Sequence, residues 1–163
     1  EGFLNFLREV VLDLYYHNDL PRSAQYYKTL QSYGPESKIA YEDFLFQRFE
    51  EHMKNAGYEQ NRALIRNLLF QALLWASYGD LAQASGRENL AKLILQRYTA
   101  KYTRNPIEPL DKLYPAVFQD AVAAFPDWQL ARLEELYPKQ VKDAREAVEK
   151  LRREPPPPPR SGS

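Results

Sequence analysis

The sequence predicts an all-α fold of about eight antiparallel helices, arranged as a helical bundle or a short α-solenoid. Apolar residues recur at three- and four-residue spacings almost throughout, and no stretch of four to eight residues alternates as a half-buried strand would. Gly34-Pro35, Gly57 and the Arg104–Pro109 stretch punctuate those periodic segments. At 163 residues, with 44% hydrophobic and 27% charged side chains, the chain has an ordinary globular composition.

The first segment carries Phe3, Leu4, Leu7, Val10, Val11, Leu14 and Tyr15 on one broad stripe, with Asn5, Arg8, Glu9 and Asp13 opposite, which predicts an amphipathic helix. Asn18 and Asp19 can cap a second helix, Pro21 suits its first turn, and Ala24, Tyr27 and Gln31 share a face. Gly34-Pro35 stops it. A third helix is predicted from about Ile39 to Ala56, with Tyr41, Leu45, Phe49 and Met53 inward, and Gly57 closes it. A fourth starts near Glu59; from Leu68 to Tyr78 it is apolar almost all round, as the most buried helix of a domain should be. Ser85-Gly86-Arg87-Glu88 fits the S-x-x-E capping box and predicts a fifth start there, with Ala91, Ile94, Tyr98 and Tyr102 inward.

Arg104–Pro109 is expected to break the array into two parts, residues 1–104 and 105–153. Three shorter helices follow: about Leu110 to Phe125 with a bend at Pro115, Pro126 to Tyr137, and Pro138 to Arg153, the last an outer capping helix with Val141, Ala144, Val148 and Leu151 as its stripe. Residues 154–163 read as a proline-rich linker, and a chain that begins with Glu and ends in PPPPPRSGS reads as a segment of a longer protein.

The segment YYHNDLPRSAQYYKTL, Tyr15 to Leu30, resembles one repeat of the tetratricopeptide family, a helix–turn–helix unit of about 34 residues. Tyr15 and Ala24 keep the nine-residue spacing at which that family's Tyr meets a small residue of the second helix, and Val11 stands at its Leu position. Arg8, Leu12 and Lys28 depart from its Trp, Gly and aromatic positions. WASYGDLAQASGRENLAKLILQRY is similar more weakly. The resemblance implies a TPR-like solenoid over residues 1–104 that acts as a scaffold and binds a peptide or protein segment in its groove.

Several functions lack their chemistry. With no Cys there is no disulfide, thiolate zinc site or Cys nucleophile, and the chain suits cytoplasm or periplasm alike. Lys+Arg and Asp+Glu both total 22, which argues against a nucleic-acid partner. Lys92, Arg97, Lys101 and Arg104 near Tyr98 and Tyr102 form a basic, aromatic run that reads as a solvated helix face. No apolar stretch reaches the roughly 20 residues that span a bilayer. His17 and His52 have no metal-binding spacing, and the six glycines form no phosphate loop, so no cofactor is expected. Asp13 and His17 share a helix face as an acid–base pair or, more plainly, a surface pair.

The candidate site lies on the fourth helix. Arg62, Arg66, Asn67 and Gln71 lead into Leu74, Trp75 and Tyr78, a run of cations and amides passing into aromatics. Together with Asp13 and Tyr16 it would suit a peptide with a carboxylate end and an apolar anchor. The alternative is a solvent face with Trp75 turned into the core. Helical phasing sends Tyr15 and Tyr27 to the helix contact and Tyr16 and Tyr26 to its edges. The chain is thus expected to be a non-enzymatic interaction module, or alternatively a self-associating domain. Pro155-x-x-Pro158-x-Arg160 matches a P-x-x-P-x-R ligand, a pattern any five-proline run followed by Arg would satisfy.

Overall fold

The computed structural model describes residues 2–153, apart from the side chains of His52, Met53 and Asn55; the Pro-rich segment 154–163 lies outside the described residues. Eight α-helices follow one another: α1 (Gly2–Tyr16), α2 (Leu20–Tyr33), α3 (Tyr41–Asn55), α4 (Tyr58–Ser77), α5 (Leu81–Lys101), α6 (Leu110–Ala124), α7 (Asp127–Leu136) and α8 (Pro138–Arg153). A 3-10 turn, Pro35–Lys38, links α2 to α3, and no strand occurs among the described residues. The fold is all-α.

Local chemistry sets most boundaries. The Asp19 carboxylate accepts from the Arg22 amide at 3.2 Å and caps α2, with Pro21 in the first turn. Gly34 ends α2, its amide bonded to Leu30 O at 2.8 Å. Gly57 opens α4, where the Gln60 side-chain oxygen takes its amide. The start of α5 differs from expectation. Asp80 caps it through the Gln83 amide at 3.0 Å, so the helix begins at Leu81 and the Ser85–Glu88 box lies inside it. Gly86 is therefore a seat rather than punctuation. A Cβ there would overlap the Asn18 side chain, whose Nδ2 donates to Ala82 O at 3.1 Å and so ties the α1–α2 turn to α5.

The helices pack as three layers. The hairpin α1–α2 forms the first, and Ser23 lies at its centre. This fully buried hydroxyl donates to Val11 O at 2.7 Å and accepts from Tyr41 Oη at 2.7 Å. Ser23, not the half-buried Ala24, is thus the small residue that fixes the contact. α3 joins by aromatic packing: Tyr15 and Tyr16 both meet Phe49 edge-on, and Tyr27 stacks against Tyr41 and Phe44. The buried Glu36 of the 3-10 turn is held by Arg8 at 2.6 Å.

The α4–α5 hairpin is the middle layer. Leu68, Leu69, Ala72, Leu73 and Ala76 are buried along α4, against α5 on one side and α6 and α7 on another. Arg97 stacks on Phe46 with its guanidinium carbon 3.7 Å from the ring centre, Lys92 pairs with Glu88, and Tyr98 is buried, so much of the basic run on α5 is used within the fold. α6, α7 and α8 form the third layer, α8 packing on α6 and α7. Within it Val141 and Ala144 are buried while Leu151 of the expected stripe is exposed.

Candidate functional site

The expected α4 stripe does not stay on one face. Arg66 and Gln71 are five residues apart, about 140° around a helix of 3.6 residues per turn. Arg62 and Arg66 turn toward α6. Arg62 forms a forked pair with Glu108 (2.8–3.0 Å), which also accepts from Tyr58 Oη at 3.2 Å, and Arg66 pairs with Asp120 at 2.7 Å. These two arginines are occupied by the fold's own carboxylates, which corrects their placement on an open anion-binding groove. The Arg62 guanidinium is the main cause that holds the Glu108 carboxyl at about 2, well below the usual carboxylate range.

The other predicted residues scatter. Asn67 is exposed and Gln71 half-buried, and neither makes a side-chain hydrogen bond among the described residues. Trp75 is half-buried and begins a chain of rings through Tyr78 to Trp128, centroids 6.4 and 5.5 Å apart. Asp13 and Tyr16 share a separate shallow cleft of about 400 Å³ with Arg48, Glu51 and Leu64. Tyr16 is half-buried against Phe49 rather than open at an edge. The His17 ring bonds the Asp13 backbone oxygen at 2.7 Å rather than its carboxylate.

What the fold builds instead is a groove between α5, α6 and α8, of about 490 Å³. Along α6, Asp111, Tyr114, Pro115 and Phe118 line it at i, i+3, i+4 and i+7, the spacing of one helix face. Glu88 of α5 and Asp143 of α8 stand across from that face, and Tyr137 closes the α7–α8 corner. Phe118 meets Tyr137 edge-on at 5.5 Å and lies 6.1 Å from Tyr114, so the three rings form one aromatic wall. Burial, then the charge of the adjacent Glu88, pushes the Tyr114 hydroxyl well above its usual range, and the same two causes raise Tyr137. Both phenols therefore stay neutral donors at ordinary pH.

The groove's electrostatics have one sign. Among the described residues, none that lines it is basic. Glu88 shares its charge with Lys92 at 2.7 Å, but Asp111 and Asp143 form no ion pair among the described residues. Pro115 has no N–H to return to the Asp111 carbonyl, which removes that oxygen's usual helical donor. A second cleft of about 270 Å³ shares Glu88, Tyr114 and Tyr137 and continues to Leu73, Leu81 and Leu136. The two clefts together are lined by carboxylates, by Tyr114 and Tyr137, and by Leu81 and Leu136. Such a surface suits a cation joined to an apolar stretch.

Sequence reasoning missed this groove because its walls come from three helices. One signal was present: the acidic, aromatic and proline residues at positions 111, 114, 115 and 118 share a helix face. No family model, no curated protein and no solved structure matches the chain.

Proposed function

We propose that the chain is a non-enzymatic interaction module whose α5–α6–α8 groove captures a protein segment carrying a cationic side chain next to an apolar stretch. The observation that carries this reading is the lining: Asp111 and Asp143, without ion-pair partners among the described residues, face Tyr114, Phe118 and Tyr137 in one groove that has no basic liner. A guanidinium or ammonium entering there meets the exposed carboxylates of Asp111 and Asp143 beside the half-buried rings of Tyr114 and Tyr137. The apolar neighbour then has Leu81 and Leu136 to cover.

The test is a fluorescence-anisotropy titration with a labelled peptide that holds one Arg between Leu and Pro, beside the same peptide with Glu in place of Arg. The Arg peptide should bind at least ~10-fold tighter, a difference of about 1.4 kcal/mol. Asp111→Asn/Asp143→Lys should remove that preference. Equal binding of the two peptides, or none by about 1 mM, would rule the reading out.

A further inference from the structure

We infer that Lys92 is a tethered competitor for the groove: its ammonium holds Glu88, and a ligand's cation reaches full affinity only by taking Glu88 from it. The inference rests on the binding role proposed above and deepens it, naming the carboxylate on which the cation settles and the residue that holds that carboxylate beforehand.

Glu88 differs from the groove's other two carboxylates. Asp111 and Asp143 are exposed, whereas the Glu88 side chain is 33% exposed. Of the three, only Glu88 also lines the adjoining cleft that holds Leu81 and Leu136. Tyr114 and Tyr137 line both clefts with it, and after burial its charge is the next cause that raises both phenols. A cation seated on Glu88 therefore has two tyrosines beside it and an apolar lining next to it, the pairing that the proposed ligand presents. Attraction between charges grows as water is withdrawn, which favours the most sheltered of the three carboxylates.

That carboxylate is already held. Lys92 Nζ lies 2.7 Å from Glu88 Oε1, one turn further along α5. Lys92 does not itself line the groove; it lines a cleft of about 340 Å³ between α5 and the α1–α2 turn, together with Asn18, Asn89 and Gln96. No carboxylate among the described residues lines that cleft. Lys92 thus belongs to one cleft and pairs with a carboxylate of another.

The pair yields easily. Half of the Lys92 side chain is in water, and an exposed Glu–Lys pair at i,i+4 shifts an equilibrium by only about twofold. An incoming guanidinium brings two parallel donors to the carboxylate, where an ammonium is a single point charge. The displaced Lys92 regains rotamer freedom and turns to solvent or to the amide-lined cleft.

The anisotropy titration with the Arg peptide provides the test, run at about 0.15 M salt, where charges more than about 8 Å apart are largely screened. Lys92→Gln should bind about twofold tighter than the wild type. Lys92→Arg, which keeps the competitor's charge, should show no gain, and Glu88→Gln should bind more weakly. In the Glu88→Gln background, adding Lys92→Gln should change nothing, since the competitor has no carboxylate left to hold. A surface pair of this strength leaves the fold to its core, so the urea midpoints should match the wild type and the affinities are read on folded protein. An affinity unchanged by Lys92→Gln, or a gain that survives in the Glu88→Gln background, would overturn the inference; the second result would reduce the effect to the loss of one positive charge. If the Arg peptide binds the wild type while either of those results is found, the competitor alone falls. If it binds neither the wild type nor Lys92→Gln, the proposed binding role falls as well.

Discussion

Replacing Glu108 by Gln should weaken the joint between the middle and outer layers in a way that pH reveals. Glu108 receives a forked pair from Arg62 and the Tyr58 hydroxyl, and its carboxyl titrates at about 2 rather than near 4.5. A tenfold change in proton affinity corresponds to about 1.4 kcal/mol, so the full displacement corresponds to about 3 kcal/mol. The Arg62 and Glu108 side chains remain 29% and 38% exposed, and solvent screening reduces that to about 1–2 kcal/mol. The folded carboxyl titrates lower than the unfolded one, so the unfolded chain binds more protons between the two values and stability rises with pH there. The contribution is complete above about pH 4.5 and is lost as pH falls through about 2. Urea unfolding followed by circular dichroism at pH 7 should therefore place Glu108→Gln about 1–2 kcal/mol below the wild type. Its melting temperature should drop by about 3–6 °C. As the pH is lowered toward 2.5, the wild-type advantage should shrink. A gap of the same size at pH 7 and pH 2.5 would refute the assignment of the Glu108 charge to this joint.

Ser23→Ala should cost about 1–3 kcal/mol by urea unfolding, because it removes the second donor to the helical Val11 carbonyl and leaves the Tyr41 hydroxyl without its acceptor. A loss below 0.5 kcal/mol, the usual surface range, would place that network outside the core. Gly86→Ala should destabilise the chain even though Ala is favoured over Gly by about 1 kcal/mol within a helix, because the new methyl displaces the Asn18 amide. Adding Asn18→Gly should recover most of the loss, since Asn18 has φ 59 and Gly accepts that conformation freely; a double variant no better than Gly86→Ala would sink the steric account. Gln129→Leu should lower the denaturant midpoint by breaking the buried 2.9 Å bond from Gln129 Nε2 to Ser77 Oγ between α7 and α4, at a cost of about 1–3 kcal/mol. Asp111→Asn/Asp143→Lys should leave the midpoint within about 0.5 kcal/mol of the wild type, which separates groove chemistry from folding.

How far the sequence carried the fold depends on how local each signal is. The capping of α2 at Asp19, its stop at Gly34, and the opening of α4 after Gly57 involve groups within four residues, and each was readable. The start of α5 was misplaced because two capping patterns compete five residues apart: Asp80 with Gln83, and Ser85 with Glu88. Asp80 prevails after the Tyr78-Gly79 turn, where Gly79 adopts φ 84 and ends the preceding helix. The site was far less readable. Arg62 and Arg66 look available in sequence because their partners lie 46 and 54 residues away, beyond any helical pattern. A periodicity reading registers a cation on a helix face; it has no access to a carboxylate that returns from a later helix to neutralise it.

That long-range pairing also explains how a chain of zero net charge comes to hold an acidic groove. Asp111 and Asp120 are nine residues apart on α6, about 180° around the helix, and so serve opposite sides of it. On the inner side Asp120 and the nearby Glu108 take the two arginines of α4, which fixes α6 against the middle layer at both ends. On the outer side Asp111 lines the groove with Asp143 and the aromatic wall, and no cation among the described residues lines it with them. The clasp and the groove are two faces of one charge distribution. Because α4 commits Arg62 and Arg66 to Glu108 and Asp120, the groove on the far side of α6 is lined by carboxylates and aromatic rings, the reverse of the cationic stripe that the α4 sequence presents when read by itself.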